Sequence, residues 1–134
     1  MKPTVRTEEH VGEWKVTIRA DTLEEIFAEA ARMLAGTGGK PGGTPGPWEP
    51  ICLRARDAAT LLVDWLNELL GRSEVEQRAY AGVRGLSIVD GALDAEVQGA
   101  PVDVWRSPVK AATYHGLRLD RDGGRWRAVV LLDI

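Results

Sequence analysis

Residues 13–35 read EWKVTIRADTLEEIFAEAARMLA, and the spacing of their apolar side chains changes once along this stretch. In the first third every second residue is apolar, which is the period of a strand with one buried face. The apolar residues then follow a helical spacing, and Thr22 with Glu25 forms the capping box of a helix N-terminus. The stretch therefore predicts a strand near 12–20 followed by a helix over 22–35.

Further patterns complete the predicted secondary structure. Asp57 is suited to cap a second helix, predicted over 57–70, whose wide apolar stripe ends before Gly71. Tight-turn residues at 90–91 and 122–124 then separate extended stretches in the manner of two hairpins. The order of strand, helix, short strand, helix and two hairpins predicts an α+β fold, in which two helices pack on one mainly antiparallel sheet.

A segment rich in glycine and proline separates the two predicted helices. Residues 36–50 contain six glycines and four prolines, which leaves few side chains for a core and many breakers of regular structure. They predict a flexible or extended surface loop. The whole chain, residues 1–134, has the length of a single domain.

Composition and charge limit the classes of function. With 44% hydrophobic and 28% charged residues, the chain has the composition of a globular protein. Its net charge of -3 lacks the basic excess of a stand-alone nucleic-acid binder, so tight direct binding of nucleic acid is not expected. The single cysteine, Cys52, lies in an apolar run and is predicted to be buried and inert. Without an apolar leader or membrane span, we expect a soluble cytoplasmic protein that has no membrane partner.

The C-terminal residues suggest a site for a cation. An apolar strand is followed directly by Asp133 and Ile134, so the Asp133 side chain and the terminal carboxylate lie together at the edge of the core. If Glu13 lay within about 4 Å, each like-charge contact would cost about 4 kcal/mol at an effective dielectric constant of about 20, and the cluster would need a cation. Such oxygen ligands suit Ca²⁺, Mg²⁺ or Mn²⁺. The alternative is a chain end that simply reaches solvent.

Four stretches of the chain are distinctive in combination. They are residues 21–31, 61–70 and 109–117, which read DTLEEIFAEAA, LLVDWLNELL and VKAATYHGL, and the terminal pair 133–134. In order and spacing they resemble the signature blocks of the archease family. The resemblance covers nearly the whole chain, and the four blocks together are specific although any one of them would be weak.

The resemblance implies a small α+β protein that is not itself an enzyme but activates an RtcB-type RNA ligase, which joins RNA ends in tRNA splicing and RNA repair. Its implied action is to promote guanylylation and turnover of that ligase. It also implies a bound divalent cation, typically Ca²⁺, held by an acidic residue of an N-terminal His-Thr-Ala-Asp motif and by the end of the chain. The motif reads His10-Val11-Gly12-Glu13 in this sequence. The implied ligands are therefore Glu13, Asp133 and the carboxylate of Ile134.

Lys110 and His115 lie in the third block and are the candidates for contact with the partner. A surface lysine and a histidine with a purely structural hydrogen bond are the alternatives. Two other functions stay open. A metal-dependent hydrolase would use the carboxylates to activate water, and a chaperone-like interaction module would use exposed apolar surface around Trp48.

Overall fold

The computed structural model describes all residues from 1 to 134 and contains seven strands and two helices. In chain order they are β1 (Thr4–His10), β2 (Glu13–Ala20), α1 (Leu23–Ala35), β3 (Trp48–Arg54), α2 (Ala58–Glu76), β4 (Arg78–Val89), β5 (Ala92–Pro101), β6 (Ala111–Asp122) and β7 (Arg125–Asp133). Neither helix is long and apolar enough to cross a membrane. The two helices and the antiparallel strands confirm the predicted α+β class.

The strands form two antiparallel sheets where the sequence pattern predicts one. The larger sheet has the order β1-β2-β7-β6, and the smaller sheet has the order β3-β5-β4. Because β5 pairs with β3 on one side and with β4 on the other, neither edge of β5 is free to pair with β6. The chain crosses to the larger sheet through residues 102–110, and β6 pairs there with β7. Alternating apolar residues indicate strands, but they do not indicate which strand edges are free.

Strand β1 is absent from the predicted elements. Val5 is its only apolar residue, so no alternation of apolar side chains marks it. It forms an edge of the larger sheet, and most of its residues are exposed. Gly12, with a φ of 79°, lies in the two-residue turn to β2 and has a conformation that favours glycine.

Helix α1 has the predicted bounds and cap. The Thr22 hydroxyl accepts a hydrogen bond from the backbone N–H of Glu25 at 3.2 Å, and the helix ends before Gly36. This contact satisfies a backbone donor of the first turn that has no partner inside the helix.

Helix α2 continues past its predicted end at Gly71 and reaches Glu76. Arg72, the next residue, donates to Glu68 at 3.1 Å and also to a carboxylate of β3, so the extra turns have contacts of their own. The left-handed residue that ends the helix is Gln77, with a φ of 56°. Gly71 therefore lies inside the helix, because side-chain contacts beyond it outweigh its low helix propensity.

Both helices lie against both sheets, and the core of 29 buried residues lies between these elements. Even-numbered residues of β2 and β7 face this core: Trp14 and Trp126 are partly buried, and the others, including Val16 and Val130, are fully buried. The indole N–H of the buried Trp65 donates to the carbonyl of Phe27 at 2.9 Å and joins α2 to α1. Odd-numbered residues of β2 and β7 lie on the opposite, outer face of the larger sheet, which is partly exposed.

The glycine- and proline-rich segment is attached to the molecule more closely than the composition predicts. Strand β3 begins at Trp48, so the part without regular structure ends at residue 47 and not at residue 50. The backbone N–H of Gly46 donates to the carbonyl of Gly99 at 2.9 Å. A side chain at Gly38 would meet the ring of Trp105, since a Cβ there would lie 2.1 Å from a ring carbon. Glycine at this position therefore permits a close approach of chain segments.

Candidate cation and partner site

Strands β2 and β7 bring Glu13 and Asp133 side by side at one end of the larger sheet. The two residues are partners in the antiparallel register, and the N–H of Ile134 donates to the carbonyl of Gly12 at 3.1 Å. Gly12 and Ile134, which form this hydrogen bond, are the next pair along the two strands. Hydrogen-bonded and non-hydrogen-bonded pairs alternate in an antiparallel ladder, so Glu13 and Asp133 form a non-hydrogen-bonded pair, whose Cα atoms are about 4.5 Å apart. We call Glu13, Asp133 and Ile134 the carboxylate end.

The carboxylate end is open to solvent. Asp133 is exposed, and Glu13 and Ile134 are partly exposed. Like charges directly opposite in a sheet cost about 0.2–1 kcal/mol, and solvent ions screen them further. The repulsion between these carboxylates is therefore smaller than the sequence predicts, because the groups lie in solvent and not at the edge of the core.

The donor chemistry of this end fits a hard cation. Nowhere in the chain do three or more His, Cys, Asp or Glu side chains lie in a group that could hold a metal ion. An ion here would therefore have two side-chain ligands, Glu13 and Asp133, together with the Ile134 carboxylate and water. Ca²⁺ accepts six to eight oxygens at about 2.3–2.6 Å, so two of its ligand oxygens can lie up to about 5 Å apart. The Cβ atoms of a directly opposite cross-strand pair have a similar separation, so both carboxylates can reach one ion.

Lys110 lies next to the carboxylate end, directly before β6 begins at Ala111. Its backbone N–H donates to the carbonyl of Asp133 at 2.7 Å, and the following residue, Ala111, is the register partner of Asp133. The Lys110 side chain is exposed and forms no salt bridge. It is therefore free to meet a partner molecule.

His115 lies apart from the carboxylate end. Between the pairs Thr113–Leu131 and Arg118–Val129, four residues of β6 face one residue of β7, and this bulge carries His115. The His115 side chain is exposed and lines a cleft of about 700 Å³ on the outer face of the larger sheet. The bulge starts two strand positions, roughly 7 Å, before the end of β7. The predicted site residues thus fall into two neighbouring groups.

Polar side chains of α2 hold β6 beside this bulge. The Asn67 amide donates to the carbonyl of Ala112 at 3.0 Å and accepts from its N–H at 2.8 Å. The Tyr114 hydroxyl donates to the Asp64 carboxylate, which raises the pKa of Tyr114. Both contacts join the second signature block to the third. Sequence reasoning missed them because the partners are 45 and 50 residues apart.

The cleft that His115 lines contains cations that the net charge of the chain conceals. They are Arg6, Lys15, Arg19, Arg118 and Arg127, and we call this surface the basic cleft. They come from all four strands of the larger sheet. Alternation along β2 predicts that Lys15 and Arg19 share a face, but only the strand order brings the other three beside them.

Cys52 is exposed, contrary to the prediction of a buried thiol. Its neighbours Ile51 and Leu53 take the inward positions of β3, so the alternation turns Cys52 outward. The thiol donates to the Asp94 carboxylate at 3.1 Å, and this contact raises the pKa of Cys52. The thiol is a poor nucleophile because it stays protonated, and not because it is buried.

The fold defines a small α+β protein whose candidate sites are open surfaces of one sheet. The chain belongs to the archease family, since residues 6–134 match the Archease protein family. It is 30% identical to the protein archease of Methanosarcina acetivorans over 138 residues, which covers 94% of this chain and 92% of that protein. It is 31% identical to the protein archease of Methanopyrus kandleri over 135 residues, with 94% and 96% covered.

Two solved structures have the same fold. The solution structure of protein 1598 from Methanobacterium thermoautotrophicum has a TM-score of 0.73 and 22% identity, and the match covers 97% of this chain and 98% of that chain. The crystal structure of an archease from Thermotoga maritima, described as a possible chaperone, has a TM-score of 0.68 and 18% identity, with 96% of each chain covered. At these identities the likeness shows the fold alone.

Proposed function

We propose that this chain activates an RtcB-type RNA ligase in tRNA splicing and RNA repair, and that it joins no RNA itself. Membership of the archease family supports an accessory role. The relative from Thermotoga maritima is described as a possible chaperone, which is a protein that acts on other proteins. The observation that carries the proposal is that Glu13 and Asp133, far apart in the sequence, are register partners on β2 and β7.

The proposal includes a divalent cation at the carboxylate end, with Ca²⁺ as the first candidate and Mg²⁺ or Mn²⁺ as the others. Glu13 and Asp133 would supply side-chain oxygens, and Ile134 would supply its carboxylate. When bound, the ion supplies positive charge and Lewis acidity at an exposed surface.

The strands of the larger sheet keep these groups in place before a partner binds. Asp133 pairs with Glu13 on one side and with Ala111 on the other, so its backbone is fixed from both sides. A preorganised group loses little conformational freedom when the complex forms, which lowers the cost of assembling the ligase's reactive geometry. Lys110, exposed beside Asp133, would meet an anionic group of the partner or steady the carboxylates.

Reconstituted guanylylation with the cognate RtcB-type ligase tests the proposal. We expect the chain to raise the rate at which the ligase forms its covalent GMP adduct and to permit repeated turnover. Lys110→Ala should reduce this stimulation, because one cation beside the carboxylate end is removed. A ligase that reacts at the same rate with and without the chain would contradict the proposal.

The same assay separates the other two functions. Nucleotide hydrolysis by the chain alone, lost in Glu13→Gln, would indicate a metal-dependent hydrolase. A larger yield of folded ligase at an unchanged rate per folded ligase would indicate a chaperone-like module. For that module the sequence suggests exposed apolar surface at Trp48, but Trp48 is partly buried and the Arg84 guanidinium lies 4.2 Å from its ring centre.

Titration calorimetry tests the cation without the ligase. Glu13→Gln should weaken binding of Ca²⁺ because it removes a charged ligand, whereas Glu74→Gln, an equal charge change at an exposed position of α2, should not. If Ca²⁺, Mg²⁺ and Mn²⁺ all fail to bind the native chain, the cation is removed from the proposal.

A further inference from the structure

The basic cleft concentrates positive charge in a chain whose net charge is -3. Five cationic side chains line it, and Glu8 is its only acidic lining residue. Two further carboxylates, Asp120 and Asp122, lie close enough to pair with its arginines. Even when all three acids are counted, the cations remain in excess. The acidic residues of the chain are therefore concentrated on other surfaces.

The pairing within the cleft leaves donors available. Asp122 lies 2.5 Å from Arg19, and Asp120 lies 3.3 Å from Arg118. Arg127 is 3.6 Å from Asp120 and 3.9 Å from Asp122, and its enclosed Nε has no hydrogen-bond partner. Two carboxylates are thus shared among three guanidinium groups. Exposed ion pairs of this kind contribute little to stability, so a stronger anion can replace them.

The positions of the cations suit an extended anion with several charges. Adjacent strands lie about 4.8 Å apart, so the cations on four strands span about 14 Å across the sheet. Lys15 and Arg19 are four residues apart on β2, which is about 13 Å along the strand. Lys15 forms no salt bridge, and Arg6 has only a long one of 3.8 Å to Glu8. A single small anion would meet only part of this array.

We propose that the basic cleft binds the phosphodiester backbone of single-stranded nucleic acid. This inference goes beyond the proposed function, because it concerns other residues and needs neither a ligase nor a cation. Four of the five cations are arginines, whose planar donor fork matches phosphate oxygens. The hydroxyls of Thr4 and Thr17 add hydrogen-bonding groups to the lining.

The lining favours nucleic acid over a protein partner. Val129 and Leu131 are its only hydrophobic residues, and it includes no Trp, Tyr or Phe. Protein–protein interfaces have an apolar and aromatic centre, whereas nucleic-acid interfaces are more polar and more positive. Because the lining offers cations and hydroxyls but no aromatic ring on which a base could stack, its contacts are with the backbone, which carries no sequence information directly.

The number of phosphate contacts sets the strength of this binding and its dependence on salt. Each neutralised phosphate of a single strand contributes about -0.7 to the slope of log K against log salt concentration, so three to five contacts predict a slope of about -2 to -3.5. Non-specific binding of this kind has a Kd of about 10⁻⁶ to 10⁻⁴ M at physiological salt. The inference therefore agrees with the expectation that nucleic acid is not bound tightly.

Fluorescence anisotropy with labelled oligouridylate and oligothymidylate of about 12 nucleotides tests the proposal, at salt concentrations between about 50 and 200 mM. The double variant Arg6→Gln/Lys15→Gln should make the slope shallower by about 1.4, because it removes two phosphate contacts. The matched control Arg54→Gln/Arg106→Gln changes the net charge equally at two exposed positions outside the cleft and should leave the slope unchanged.

A pair of single variants decides the test if the double variant does not fold. Lys15→Arg should bind like the native chain, and Lys15→Gln should have a slope that is shallower by about 0.7. Circular dichroism confirms that both variants are folded. Binding of both oligonucleotides, or of the RNA alone, supports the proposal, and the second result adds recognition of the 2′-hydroxyl. Three results would overturn it: no binding at low salt, equal effects of the cleft and control variants, or binding of a polyglutamate peptide but of neither oligonucleotide.

Discussion

Replacing Asn67 by alanine should destabilise the protein more than its partly exposed position on α2 suggests. The change removes two hydrogen bonds to the backbone of Ala112, which is 6% exposed. The N–H and carbonyl of Ala112 stay in place without these partners, and each unsatisfied buried group costs about 1–3 kcal/mol. Taking the lower part of that range for both groups, the expected loss is about 2–4 kcal/mol. At about 2.1 cal/mol/K per residue, this lowers Tm by about 7–14 °C for a chain of 134 residues.

Urea unfolding followed by circular dichroism measures this loss. Glu74→Ala is the control, because Glu74 is exposed on the same helix and should change stability by less than about 0.5 kcal/mol. Asn67→Asp keeps an acceptor for the Ala112 N–H but removes the donor to its carbonyl, so it should fall between the control and Asn67→Ala. Equal stabilities of Asn67→Ala and Glu74→Ala would refute the claim that α2 holds β6 through this side chain.

Three further predictions concern the fold. Leu66→Ala should cost about 2–5 kcal/mol in urea unfolding, because Leu66 is 1% exposed and its loss leaves a cavity; a cost below about 1 kcal/mol would contradict its place in the core. Gly38→Ala should cost about 1–3 kcal/mol, since the new methyl group would overlap the Trp105 ring, and an unchanged Tm would show that the ring moves aside freely. The third concerns Asp57, whose pKa is lowered because its carboxylate accepts from the backbone N–H of Thr60. A carboxylate whose pKa is lowered by folding stabilises the fold at a pH above its unfolded pKa of about 3.9. This stabilisation is lost as the pH falls through its pKa in the folded state. On acidification the Tm of the native chain should therefore fall more than the Tm of Asp57→Ser, because the serine cap does not titrate. A larger fall in Asp57→Ser would contradict the assignment.

Features of the structure that depend on neighbouring residues could be predicted from the sequence, whereas most features that depend on distant residues could not. Thr22 and Glu25 are three residues apart, so their capping contact and the start of α1 follow from local chemistry. Antiparallel pairing of the first predicted strand with the last also predicts that Glu13 lies near Asp133. These two inferences place one helix and one end of the larger sheet.

The remaining features depend on strand order and on side-chain contacts over long separations. Strand β1 has a single apolar residue, Val5, so its pairing with β2 has no periodic signal. The division into two sheets depends on which edges are free, and the basic cleft depends on that division, because Arg118 and Arg6 lie on strands at opposite edges of one sheet. Net charge is a sum over the chain and carries no information about such clustering.

The central claim is that the carboxylate end is the surface through which this chain activates the ligase. The measurement that tests it most directly is the rate of ligase guanylylation with the variant Asp133→Asn, which keeps the size of the side chain and removes its charge. Asp103→Asn is the matched control, because Asp103 is exposed in residues 102–110 and outside the carboxylate end. We predict that Asp133→Asn, folded by circular dichroism, lowers the rate to that of the ligase alone, while Asp103→Asn stimulates like the native chain. Full stimulation by folded Asp133→Asn would contradict the claim.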